Sequence, residues 1–321
     1  MMYQRTLRSC IAANGIGVHS GSPVKIWINP APANTGIVFR RRINGVLKSI
    51  PASVDHVIDT RLSTCLGLED VKIGMVEHLL SAIAGLGIDN LFIDIEDDEL
   101  PIMDGSAAPY IFLLQSAGIK EQCEAEKVFL VVKKKIQVGN DKQYCSIEPH
   151  NGFRVEFKIE FDHPSFNAEN QTAIFDFSST TYLTSLCRAR TFGFEKDREL
   201  YKKQNLALGS SLDNAVVLSE NSIMNDRGLR YYDEFVRHKI LDAIGDCYLL
   251  GYPIIGHFKG FKSGHTLNNQ LLNTLLADKD SYELTTNVDV ALYQEPDNIV
   301  SPQVVSHLQS TIIKNQHEVE A

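Results

Sequence analysis

The hydrophobic pattern of this 321-residue chain changes period several times. Short alternating runs at 4–13, 24–29 and 36–42, divided by Gly, Pro and Asn, predict strands. Residues 74–86 then turn to helical spacing, with Met75, Leu79, Ala82, Ile83 and Leu86 apolar. A strand is predicted over 90–95 and a helix over 106–118, with Asp104 or Ser106 placed near its cap. Further strands are predicted near 128–138, 143–148, 153–160 and 173–177, a long helix over 232–249, a strand over 254–259 and a helix over 266–278. The charged stretch from Lys120 to Lys127 reads as a linker, and the polar residues after Pro302 as a loose tail.

Helices and strands therefore come in segregated runs, which favours α+β over a parallel α/β sheet. A weak internal echo links the two halves. His78-Leu79-Leu80-Ser81-Ala82-Ile83 resembles His238-Lys239-Ile240-Leu241-Asp242-Ala243-Ile244, with one extra residue in the second copy. Each lies on a helix followed by a short strand and a second helix, as a duplication would leave them. We expect two related α+β domains, 1–124 and 125–300, and a polar tail at 301–321.

The long helix carries a polar stripe beside its apolar face. Phe235, Val236, Ile240, Ala243, Ile244 and Cys247 form that face, while His238, Asp242 and Asp246 recur every four residues along its edge. Side chains one turn apart start about 5–6 Å from each other and can reach one metal ion. The same spacing also fits a surface ion pair, so it is a weak warrant alone. With His78 far upstream, His238 and Asp242 would make an open zinc site of three protein ligands. Glu77, next to His78, could act as general base, or could simply favour the N-terminus of its helix. His265, in the turn Lys262-Ser263-Gly264-His265, could act as a cation if a carboxylate such as Asp246 raised its pKa.

Composition narrows the classes. A 44% hydrophobic and 22% charged chain is globular, and a net charge of −9 speaks against a nucleic-acid footprint. Arg40-Arg41-Arg42 and Lys133-Lys134-Lys135 are short and flanked by strand-like residues. The six cysteines show no C-x-x-C pair, which suits free thiols in a reducing cytosol. No secretory signal and no run of about 20 apolar residues is seen, so a cytoplasmic protein without stable membrane insertion is expected. Gly15-Ile16-Gly17-Val18-His19-Ser20-Gly21 is not a dinucleotide fingerprint.

Taken with that turn, the stretches Val76–Ala82, Pro101–Ser106, Ala189–Phe194, Phe235–Asp246 and Lys262–His265 closely resemble the UDP-3-O-acyl-N-acetylglucosamine deacetylase family. The resemblance implies zinc-dependent hydrolysis of an N-acetyl amide, releasing acetate, at the committed step of lipid A biosynthesis in Gram-negative bacteria. It implies His78, His238 and Asp242 as metal ligands, with iron able to occupy the same site. Glu77 becomes general base, His265 the cationic catalyst, Asp246 its carboxylate partner and Thr191 an oxyanion donor. Lys239, Phe192, Phe161, Lys262 and His19 become substrate contacts. The implied fold has two α+β domains whose helices lie between two outer sheets. Each domain carries an insertion, expected near 43–68 and near 193–222, the second forming a βαβ passage for the acyl chain. Arg198 departs from an apolar passage wall and is expected to snorkel, its stem on the chain and its head in water. The partner is a nucleotide sugar bearing an acyl chain, and a monomer is favoured. Two other classes use similar ligands: a non-haem iron oxygenase, and a binding module with structural zinc, for which His19 is the candidate fourth ligand.

Overall fold

The computed structural model describes residues 2–289. The tail expected at 301–321 lies outside them. The architecture is mixed α and β, with six α-helices among the described residues: α1 (Val76–Gly85), α2 (Ala108–Ala117), α3 (Ser179–Ser185), α4 (Arg198–Lys203), α5 (Glu234–Cys247) and α6 (His265–Ala277).

The first large sheet has the spatial order Ile11–Ile16, Pro23–Pro30, Leu91–Ile95, Ile37–Ile43, Val46–Pro51. All its pairs are antiparallel except Ile37–Ile43 with Leu91–Ile95. Alternation sends Val24, Ile26 and Ile28 to one buried face. The second sheet centres on Ile254–Phe261, which pairs antiparallel with Gln143–Glu148 and parallel with both Phe129–Val132 and Phe153–Lys158. Helix α2 packs on the first sheet, α5 and α6 on the second, and α1 lies along α5. Every residue of α1 is buried, as suits a helix covered on all sides.

Two small units project from this frame. Val57–Asp59, Cys65–Leu68 and Val71–Ile73 form a three-stranded antiparallel sheet. Phe192–Phe194 and Val216–Leu218 pair in parallel with α4 between them, a βαβ unit where the second insertion was expected.

Three expectations change. The run near 128–138 is two strands, Phe129–Val132 and Ile136–Asn140, which are not neighbours in the second sheet. The run at 4–13 is two strands, Tyr3–Leu7 and Ile11–Ile16, which belong to different sheets. The supposed linker is the strand Ile119–Glu126, paired antiparallel with Tyr3–Leu7. Its polar composition is misleading because its inward groups are partnered. Gln122 donates to the Ala31 carbonyl and accepts from Asn90, and the adjoining Lys127 ammonium donates to the Gly87 carbonyl and pairs with Asp89. All six cysteines are free thiols. No helix among the described residues is long and apolar enough to cross a membrane.

Candidate metal centre

The centre forms where α1 meets α5. Gly245 makes the close approach possible: a Cβ there would lie 2.0 Å from the Glu77 carbonyl oxygen. Ser81 fixes the register, its hydroxyl donating to the Leu241 carbonyl at 2.8 Å and bonding to the buried Tyr182 hydroxyl at 2.8 Å. Met75, left-handed at φ 61°, turns the chain into α1 immediately before Glu77 and His78.

His78, His238 and Asp242 converge there, all buried, with one ligand atom from each within 4.8 Å of the others. Asp242 Oδ1 lies 3.3 Å from His238 Nε2 and 3.5 Å from His78 Nε2. Both separations exceed a good hydrogen bond, and this buried oxygen has no hydrogen-bond partner. Two bonds of about 2.1 Å at a tetrahedral angle hold their outer atoms about 3.4 Å apart, so the spacing suits a small ion between them. His238 Nδ1 donates to the Ala189 carbonyl at 3.0 Å, which leaves the Nε2 lone pair for a ligand. Burial pulls the pKa of His238 down to about 3, so the ring is neutral. Burial acts against the Asp242 carboxylate, but its polar surroundings, the Lys239 ammonium among them, outweigh it and hold the pKa well below the usual range. Lys239 occupies the other oxygen, Nζ to Oδ2 at 2.6 Å.

Around this triangle stand the expected acid and base. Glu77 is buried, accepts the Thr64 N–H on Oε2 at 3.0 Å, and keeps Oε1 3.9 Å from His265 Nε2. Burial raises its pKa, with His265 and His78 pulling the other way. His265 begins α6, and its Nδ1 donates to Asp246 Oδ2 at 2.8 Å. Burial disfavours its cation, but Asp246, Glu77 and Asp242 reverse the balance and raise its pKa to about 9. Asn268 Nδ2 donates to the same Asp246 oxygen at 2.8 Å.

The remaining predicted residues stand further out. Thr191 is half-buried, two residues beyond the carbonyl that holds His238, and its backbone bonds to Gly105 and Val216. Phe161 and Phe192 meet edge to face at 5.7 Å within a cluster that includes Phe166, Phe194 and Phe235. Lys262 Nζ pairs with Glu160 at 2.9 Å on the surface. His19 lies outside the ligand group: its Nε2 faces Ser63 Oγ at 3.2 Å, and its Nδ1 faces the Ala207 N–H at 3.4 Å. The loop carrying Leu208 and Gly209 donates its backbone N–H groups to the His19 and Val18 carbonyls, so it sits on the glycine turn. Arg198 is exposed and pairs with Glu195 at 3.4 Å.

The sequence reading missed Thr64, Asn268 and the Arg190–Glu234 pair. Glu234 is fully buried and takes the Arg190 guanidinium at 2.8 Å, fixing the segment whose Ala189 carbonyl holds His238. Thr64 offered no local signal.

Two imidazoles and a carboxylate around one point, with a second carboxylate and a cationic imidazole at its edge, define a metal-dependent amidohydrolase. The family model for UDP-3-O-acyl N-acetylglycosamine deacetylase matches residues 4–277. The UDP-3-O-acyl-N-acetylglucosamine deacetylase from Coxiella burnetii is 56% identical over 289 residues, covering 90% of this chain and 95% of the relative. Those from Alcanivorax borkumensis and Thioalkalivibrio sulfidiphilus are each 54% identical with the same coverage. The chain belongs to the UDP-3-O-acyl-N-acetylglucosamine deacetylase family and is a deacetylase of lipid A biosynthesis.

Proposed function

We propose that the chain hydrolyses the N-acetyl amide of UDP-3-O-acyl-N-acetylglucosamine in the cytoplasm, as a monomer, with zinc held by His78, His238 and Asp242. The observation that carries this reading is Asp242 Oδ1, buried without a donor and set between two imidazole nitrogens. When bound, such an ion supplies a water of pKa about 7 and polarises a carbonyl. Iron could take the same ligands without altering what the side chains do.

Glu77 Oε1 accepts the proton of the attacking water. Burial has already raised its affinity for that proton. His265, cationic through Asp246, faces the developing oxyanion and protonates the departing amine; Thr191 adds a hydroxyl donor. Lys239 holds Asp242 and lies at the substrate side, with Phe192, Phe161, Lys262 and His19 as further contacts. The βαβ unit within 193–222 forms the acyl passage, with the Arg198 head in solvent beside Glu195. The chain divides near residue 125 into two related α+β domains with their helices facing inward, and the three-stranded unit over 57–73, which overlaps the expected 43–68, is the first domain's insertion.

The oxygenase reading shares the two-His-one-carboxylate ligand set, but family membership speaks against it. Structural zinc would want a fourth ligand, and His19 is engaged with Ser63 and Ala207 instead. The test is incubation with the acylated UDP-sugar, following acetate with and without chelator. Acetate release that stops on chelation and returns with zinc is expected, with the fold retained throughout. Undiminished release from metal-free protein would refute the reading.

A further inference from the structure

Thr64 stands at a junction. It is 2% exposed, at the head of the strand Cys65–Leu68, and all its polar groups are engaged. Its N–H donates to Glu77 Oε2 at 3.0 Å. Its carbonyl accepts the Val76 N–H at 3.3 Å, in the first turn of α1. Its hydroxyl donates to Asp246 Oδ1 at 2.6 Å and lies 3.2 Å from His265 Nδ1.

These bonds divide the work of each carboxylate. Glu77 has Oε2 occupied by the Thr64 amide, so Oε1 is the oxygen left facing His265. Asp246 has Oδ1 held by the Thr64 hydroxyl, while Oδ2 receives His265 and Asn268. A carboxylate fixed by three donors cannot rotate without breaking one of them, and its plane sets the direction of the His265 ring. Glu77 and Thr64 come from one part of the chain, Asp246 and His265 from another, 182 residues away from Thr64 in the case of Asp246. Among the described bonds, Thr64 alone touches all three groups directly.

We propose that Thr64 is a positioning residue that sets the orientation of Glu77 and of the Asp246–His265 pair together, so that proton acceptor and proton donor face the same point. The inference deepens the deacetylase reading and rests on it.

The test compares T64V and T64S with the parent, full-length and zinc-loaded. T64V keeps the branched shape and the amide but deletes the hydroxyl. T64S keeps the hydroxyl. Loss of an outer partner of this kind costs about 10–100-fold in activity. We expect that loss in kcat for T64V, with KM and zinc content unchanged, and recovery of most of it in T64S. A second readout needs no metal: the His265 Nδ1–H resonance of metal-free protein should move in T64V and return in T64S. A parent-like kcat in T64V, a loss that T64S does not restore, or an unmoved resonance would overturn the proposal. If T64V does not fold, T64A carries the same comparison. Failure of the parent itself to release acetate would instead strike the deacetylase reading, and the resonance would still decide the Thr64 contact.

Discussion

Gly245→Ala is the sharpest test of how the two helices build the metal centre. The added methyl would meet the Glu77 carbonyl oxygen at 2.0 Å, its carbon at 2.8 Å and its Cα at 3.1 Å. These are backbone atoms of a fully buried helix and cannot swing away as a flexible side chain would. Ordinary contact begins near 3.4 Å, so α1 and α5 must part by about 1.4 Å at this point. His78 rides on α1, Asp242 on α5, and their 3.5 Å separation would widen towards about 4.9 Å. Two zinc bonds of about 2.1 Å reach at most about 4.2 Å end to end, so the ion could no longer hold both ligands undistorted. Overpacking of this kind costs about 1–3 kcal/mol. If that strain falls on the metal site, zinc affinity drops by about 5- to 150-fold. Competition with a chromophoric chelator measures the affinity, and thermal melting of the metal-free protein measures the remaining strain. Gly193→Ala is the control, because nothing lies within 4 Å of its added methyl. Parent zinc affinity and parent melting temperature in Gly245→Ala would refute the account of the helix contact.

Glu77→Ala should retain zinc and fold while turnover falls by about 10²–10⁴-fold; near-parent turnover would remove Glu77 as the base. His265, raised to about 9, should be cationic at neutral pH, and kcat should decline as pH rises through the alkaline range. Its folded pKa lies above the ordinary histidine value of about 6.5, so in metal-free protein its stabilising contribution is full below about pH 6.5 and is lost as pH rises through about 9. Asp246→Asn should flatten that dependence in urea titrations across the same range, and an unchanged slope would contradict it. Glu234→Gln leaves the Arg190 guanidinium without its carboxylate in a buried site, at a cost of about 3–5 kcal/mol by urea unfolding. A loss below about 1 kcal/mol would show that the pair is not the clamp described.

Periodicity made the central helices legible. The four-residue recurrence of His238, Asp242 and Asp246 survives intact on α5, and the apolar spacing around His78 gave α1 to within two residues at its start. His265 was found because a histidine in a tight turn before a helix is a local feature. Thr64 was not, since its role consists of bonds to residues distant in the chain and nothing near it has a pattern. Gly245 was equally silent: only the facing backbone of Glu77 reveals why a side chain is excluded there. The stretch from Lys120 to Lys127 failed for the opposite reason. Its charges follow a local rule for exposed linkers, but pairing with Tyr3–Leu7 and a buried network around Gln122 override that rule.

The ligands come from two helices far apart in the sequence, His78 from α1 and both His238 and Asp242 from α5. Ser81 and Leu241, which lock the two helices, are 160 residues apart. During synthesis the first helix leaves the ribosome with a single imidazole, which cannot retain a divalent cation by itself. The full set of three ligands therefore exists only once α5 has been made and docked on α1, so a loaded centre reports that these two helices have met.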